Sequence, residues 1–156
     1  MSPKRVQIAP FKVSGIGIRT ANRDEIPTTP YSKIPDLWKA FFCDNIAASI
    51  DERIPDTPIY GAYTNYESDQ HGYFDLVAGV KVADNAPEPM QTIEIEGGDY
   101  LMFPCGNEMP QAIIDGWQEI YAYFDGETPY QRRFSTDFEQ YAGDNDVTIY
   151  IAVQFK

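Results

Sequence analysis

Val147-Thr148-Ile149-Tyr150-Ile151-Ala152-Val153-Gln154-Phe155 alternates without a break. Val147, Ile149, Ile151, Val153 and Phe155 fall on one side of an extended chain, and Thr148, Tyr150, Ala152 and Gln154 on the other. Period-two patterning of this kind predicts a strand with one aliphatic face on a core. Upstream, Gly143-Asp144-Asn145-Asp146 reads as a turn, and Arg132 to Tyr141 as the partner strand of a hairpin. Alternation along that partner puts Asp137, Glu139 and Tyr141 on one face and Phe134 and Phe138 on the other.

The same grammar recurs earlier in the chain. Ile59 to Tyr66 and Tyr73 to Val82 are strand-like runs either side of the polar Glu67-Ser68-Asp69-Gln70-His71-Gly72. Before each hairpin stands a helical stripe. The first comprises Ile34, Leu37, Trp38, Phe41, Ile46, Ala47 and Ile50, which predicts one helix starting at Ser32 and ending before Pro55. The second comprises Ile113, Trp117, Ile120, Tyr121 and Phe124, with Asn107 as its cap and Pro110 in the first turn. Before each helix stands a strand: Lys4 to Thr20, read as a single bulged strand, and Met90 to Phe103, interrupted at Gly97-Gly98. Asn22 to Tyr31, with Pro27 and Pro30, reads as a loop. Two halves, about 4–82 and 90–156, thus repeat strand, helix and hairpin within a single domain, 1–156. The fold class expected is α+β: duplicated strand-helix-strand-strand modules forming an antiparallel sheet, two helices on one face, and a central groove suited to a ligand.

Composition narrows the chemistry. The chain has 156 residues, one domain's worth, with 24 Asp plus Glu against 12 Lys plus Arg and a formal net charge of −12. Such a surface repels phosphate backbones, so direct nucleic-acid binding is disfavoured. Aromatic residues make up 14 % of the chain, too large an apolar content for a disordered acidic tail. No run approaches the roughly 20 apolar residues of a membrane span, and the first ten residues lack a secretory signal's apolar core, so a cytoplasmic protein is expected. Cys43 and Cys105 form no CxxC pair, and no Cys or His cluster suggests a metal or other cofactor. A histidine triad has His71 as its one candidate base and no nucleophile elbow. Cys105, just before the second helix, reads as a small apolar residue at a strand end or as a thiol activated by the helix.

What remains is aromatic residues interleaved with carboxylates. Periodicity alone turns Glu139 toward solvent, whereas the tyrosines on the face opposite the last strand's aliphatic stripe, Tyr150 among them, suggest groove lining. Trp38 and Trp117, one per helix, read as core residues or as walls of that groove. An aromatic groove with a desolvated carboxylate prefers lipophilic cations.

The pattern resembles the effector-binding domains of AraC-type and MerR-type multidrug regulators, also called DNA gyrase inhibitory protein-like domains. The resemblance is carried by Ile59-Tyr60-Gly61-Ala62-Tyr63-Thr64-Asn65-Tyr66-Glu67-Ser68-Asp69, Phe74-Asp75-Leu76-Val77-Ala78-Gly79-Val80, Gly98-Asp99-Tyr100-Leu101-Met102-Phe103-Pro104-Cys105-Gly106, Asp137-Phe138-Glu139-Gln140-Tyr141 and Thr148-Ile149-Tyr150-Ile151-Ala152-Val153. It implies a pocket between the halves in which Glu139 is the counter-charge, with Tyr150, Tyr60, Phe103 and Trp38 at the family's aromatic positions. Thr148 and Ala152 depart from the acidic residue and the proline common there. With strand one beginning near residue 4 there is no room for a helix-turn-helix, so the chain resembles stand-alone members, including products of integron cassettes. The resemblance implies a bacterial binder of cationic lipophilic small molecules with Glu139, Trp38, Tyr60, Phe103 and Tyr150 in its site, and the residue pattern adds Trp117 as a further aromatic wall. Two alternatives stay open: a small-molecule hydrolase with Glu139 as general base, and an acidic interaction module acting on a separate DNA-binding or regulatory protein.

Overall fold

A computed structural model describes residues 3–25, 32–106, 108–143 and 146–156. In chain order it contains β1 (Lys4–Ile8), β2 (Phe11–Ala21), α1 (Asn22–Glu25), α2 (Ile34–Cys43), α3 (Ile46–Ser49), β3 (Ile59–Thr64), β4 (Tyr73–Val82), β5 (Gln91–Ile95), β6 (Gly98–Cys105), α4 (Gln111–Asp125), β7 (Tyr130–Gly143) and β8 (Asp146–Phe155). All eight strands join one antiparallel sheet in the order β1-β6-β8-β7-β3-β4-β2-β5. The fold is α+β.

Several boundaries differ from the sequence expectation. Lys4 to Thr20 is two strands: β1 pairs with β6 and β2 with β4 and β5, at opposite ends of the strand order. Pro10, which has no N–H to donate, falls at the break. The predicted first helix is also two pieces. Asn45, in the left-handed region at φ 50°, stops α2 and restarts the chain as α3. Asn22–Glu25 is a short helix where a loop was expected. The proposed Asn107 cap, part of the Asn22 to Tyr31 loop and the centre of the last hairpin turn lie outside the described residues.

Two layers of core follow from the sheet's shape. Only Ala9-Pro10 link β1 to β2, and only Glu96-Gly97 link β5 to β6, so the ends of the sheet must curl toward each other. They meet closely: a Cβ on Gly97 would lie 2.8 Å from Pro10 Cδ. Inside the curl pack Val13, Tyr60, Val77, Tyr100, Phe138 and Ala152. Phe138 stacks on Tyr150 with ring centroids 4.6 Å apart and meets Phe11 edge-on at 5.3 Å.

The helices cover the other face. α2 lies on β2 and β4, burying Leu37 and Phe41, each such side chain contributing roughly 1.5–3 kcal/mol. α4 lies on β6, β8 and β7, over Leu101, Phe103, Ile149, Ile151 and Val153. Each helix therefore sits mainly on its own half. The central strands β3 and β7, paired Ile59 to Tyr141 through Tyr63 to Asp137, are left as the floor between them.

Candidate ligand cavity

A cavity of about 480 Å³ opens over that floor, within the range of small-molecule sites. Ile34 and Pro35 at the start of α2 form one wall, and Ile113, Ile114, Trp117, Gln118 and Tyr121 of α4 the other. Tyr63, Glu139 and Arg132 come from the central strands, with Tyr66 and Phe74 beside them and Asn22, Glu25 and Gln70 toward one end.

Glu139 is only 3 % exposed. Register explains its position: on β7 it faces Gly61 of β3 and Ile149 of β8, so it projects to the helix-covered side. Glycine opposite leaves the space. A Cβ on Gly61 would lie 2.7 Å from Glu139 Oε1 and 3.1 Å from Trp38 Cζ2. Three neutral donors hold the carboxylate. The Tyr63 hydroxyl donates to Oε2 at 2.7 Å, the Trp117 indole N–H to Oε2 at 2.8 Å, and the Tyr141 hydroxyl to Oε1 at 2.7 Å. Burial pushes the Glu139 carboxyl above its ordinary value, and these three bonds pull partly against that rise. Burial first, and then the Glu139 charge, push the phenols of Tyr63 and Tyr141 far up, so both remain donors. No Lys, Arg or His among the described residues pairs with Glu139.

A second polar group sits in the same floor. Asp137 is fully buried, accepts the Ala152 backbone N–H at 2.8 Å and the Tyr66 hydroxyl, and pairs with Arg132 Nη2 at 2.8 Å. Burial works against the Arg132 charge, and Asp137 and Tyr66 outweigh it, holding the guanidinium ionised. The β7 register shifts between Arg132 and Asp137, where Phe134 adopts φ 52°. This bulge turns Phe134 onto Tyr66 and Arg132, away from the Phe138 face expected from strict alternation. Glu25 serves the helix start instead, its carboxylate accepting the backbone N–H groups of Lys33 and Ile34 and the Thr20 hydroxyl and so closing the first turn of α2.

The structure brings Glu139 and Trp117 together in the cavity. Trp38 stands behind them, with its ring edge-on to Tyr141 at 5.3 Å. Tyr60 and Tyr150 belong to the cluster inside the curl, on the opposite face of the sheet. The reading that set Glu139 on the Tyr150 face is therefore corrected, as is the one that turned it to solvent: Tyr150 pairs with Phe138, and Glu139 with Ile149. Phe103 packs against Tyr123 and Phe124 of α4, away from the cavity lining. Tyr63, Tyr66, Tyr121, Arg132 and Glu25 line the cavity, and sequence reasoning missed all five as site residues. Gly61 was the available signal, a residue without a side chain in register with Glu139. Burial, with smaller contributions from Glu139 and Glu119, pushes the Cys105 thiol up to about 11, which leaves it protonated and inert at neutral pH.

Comparison with known proteins finds relatives along nearly the whole chain. Its solved relatives include the integron cassette protein VCH_CASS2 of Vibrio cholerae, 36 % identical, with a TM-score of 0.82 over 98 % of this chain and 96 % of that one. The structure of SAV2435 bound to tetraphenylphosphonium shares the fold, with a TM-score of 0.78 at 18 % identity over 99 % of this chain and 94 % of that one. The transcriptional regulator-like protein YobU of Bacillus subtilis (strain 168) is 25 % identical over 152 residues, 92 % of either chain. The model of the integron-associated effector binding protein (Cass2) family matches residues 6–153, and the chain belongs to that family.

Proposed function

We propose that the whole chain acts as one effector-binding module whose ligands are hydrophobic cations, held between α2 and α4 with Glu139 as counter-charge. The observation that carries this reading is a buried carboxylate, without a cationic partner among the described residues, at the floor of an aromatic cavity. A desolvated anion bonded only by neutral donors gains most from a charge that arrives with a ligand. The tetraphenylphosphonium bound by the structurally similar SAV2435 is a ligand of that type. Reversible binding is favoured over turnover because both Glu139 oxygens are already engaged and the nearby Cys105 thiol is held protonated.

Quenching of tryptophan fluorescence tests the proposal, since Trp117 lines the cavity. Titration with tetraphenylphosphonium and a neutral aromatic of equal size is expected to saturate for the cation alone. Glu139→Gln is expected to weaken cation binding at least about tenfold, which is about 1.4 kcal/mol. Equal binding of cation and neutral compound, or an unchanged affinity in the variant, removes Glu139 as counter-charge.

A further inference from the structure

Glu139 has no use for Arg132, yet the two line one cavity. A cavity built only to attract cations gains nothing from a guanidinium in its wall, and the Arg132 side chain is only 5 % exposed. Its pairing is incomplete. Nη2 is bound to Asp137, Nε is sealed without a hydrogen-bond partner, and Nη1 makes no hydrogen bond among the described residues. Arg132 stacks over Phe134 at 4.3 Å, a contact to the ring face that uses none of its N–H groups as donors to oxygen. Arg132 lines the cavity, so the guanidinium N–H groups that Asp137 does not use face a site where a ligand oxygen can accept from them.

The two ends are separated along the cavity. On α4, Trp117 sits over Glu139, and Tyr121, one turn further on, accepts the Asn22 side-chain N–H at 2.9 Å. Four residues of helix advance about 6 Å. On β7, Asp137 (which holds Arg132) and Glu139 both face the helices, and alternate residues of a strand lie roughly 7 Å apart. Tyr121 lies close enough to Arg132 to interact with its charge, so both spacings put the Arg132–Asp137 pair about one helical turn from Glu139, with Tyr63, Tyr66 and Phe74 lining the space around them.

Resting on the cation reading above, we infer that the Arg132 end is an acceptor-binding subsite, and that the effector is a hydrophobic cation carrying a carbonyl oxygen about one helical turn from its charge. The acceptor is neutral because Asp137 already balances the guanidinium. Gln70, Gln118 and Asn22, polar residues of the same lining, suit a ligand with a polar as well as a charged end.

A matched pair of probes decides the matter: phenylbutyl-trimethylammonium, and its analogue with a ketone at the carbon next to the ring. Charge and chain length are the same, and the ketone makes the second probe less hydrophobic. Isothermal titration of the wild-type protein is expected to show the ketone bound about tenfold more tightly, the value of one charge-assisted hydrogen bond. In Arg132→Met combined with Asp137→Asn, which removes both charges and strands neither, the ratio of the two affinities is expected to fall to near one. Equal affinities in the wild type, or tighter binding of the alkyl probe, overturn the acceptor subsite while leaving the cation reading intact. Failure of both probes to bind overturns the two together. Persistence of the ketone preference in a folded double variant assigns it to another residue and removes Arg132 from the role.

Discussion

Glu139 combines a charge with a site in which charge is expensive. Its carboxyl titrates above the ordinary range because of burial, so the folded protein binds that proton more tightly than the unfolded chain does. The stability contribution of this group is therefore greatest below the unfolded pKa and is lost as pH rises through the raised folded one. In its ionised form the side chain carries a desolvation cost that a cationic ligand can offset. Glutamine can still accept from Tyr63 and Trp117 while its amide donates to a reoriented Tyr141 hydroxyl. Glu139→Gln is expected to be as stable as wild type or up to about 1 kcal/mol more stable at neutral pH, the gap closing on acidification. Urea unfolding at a series of pH values measures it, and a variant markedly less stable at neutral pH would show that the three donors outweigh desolvation. Cation affinity of the wild type is expected to fall over the same acid range, as the carboxyl takes up its proton.

At the level of elements, the cavity depends on two strands being left bare. β3 and β7 pair through Gly61 and Glu139, and the space above Gly61 is occupied by the Glu139 carboxylate and the edge of Trp38. A methyl group there meets a side chain fixed by three hydrogen bonds, not a free end that can swing aside. Gly61→Ala is expected to cost about 1–3 kcal/mol in denaturant unfolding. It should also weaken cation binding in the quenching titration, because the displaced carboxylate loses its alignment with Tyr63 and Trp117. Unchanged affinity at reduced stability would mean that the carboxylate adjusts without consequence. The duplicated hairpins and the helices before them were legible in the apolar spacing. The broken first helix was not, because Asp44-Asn45 interrupts the chain within an otherwise continuous apolar stripe.

Over the whole molecule, the curl of the sheet separates an aromatic cluster on its inner face from the ligand face. It relies on close strand approach: Gly15 and Gly79 face each other across β2 and β4, and a Cβ on Gly15 would lie 1.9 Å from the Ala78 carbonyl oxygen. Backbone in that position cannot yield as a side chain does. Gly15→Ala is expected to lower stability by about 3 kcal/mol or more, read as a lower urea midpoint. A midpoint close to that of the wild type would show that the strands can separate without loosening the Tyr60, Phe138 and Tyr150 cluster. No helix among the described residues is long and apolar enough to cross a membrane.

Local periodicity by itself determined the hairpins, the two amphipathic helical stripes and the α+β class, because side-chain alternation and helical spacing are properties of neighbours in the chain. Periodicity alone turned Glu139 toward solvent and left Trp117 as core or groove wall; the family resemblance is what marked Glu139 as the counter-charge. Which face of the sheet is the ligand face is a matter of register between strands distant in sequence, and only the tertiary structure decided it. Tyr60 and Tyr150 have the composition of site residues, yet both lie on the face inside the curl, Tyr60 buried and Tyr150 half-buried; Arg132, preceding a bulge that strict alternation does not reveal, is carried into the cavity. The physical reason is the strict period of two in a strand: one irregularity or one choice of partner exchanges buried core for binding surface.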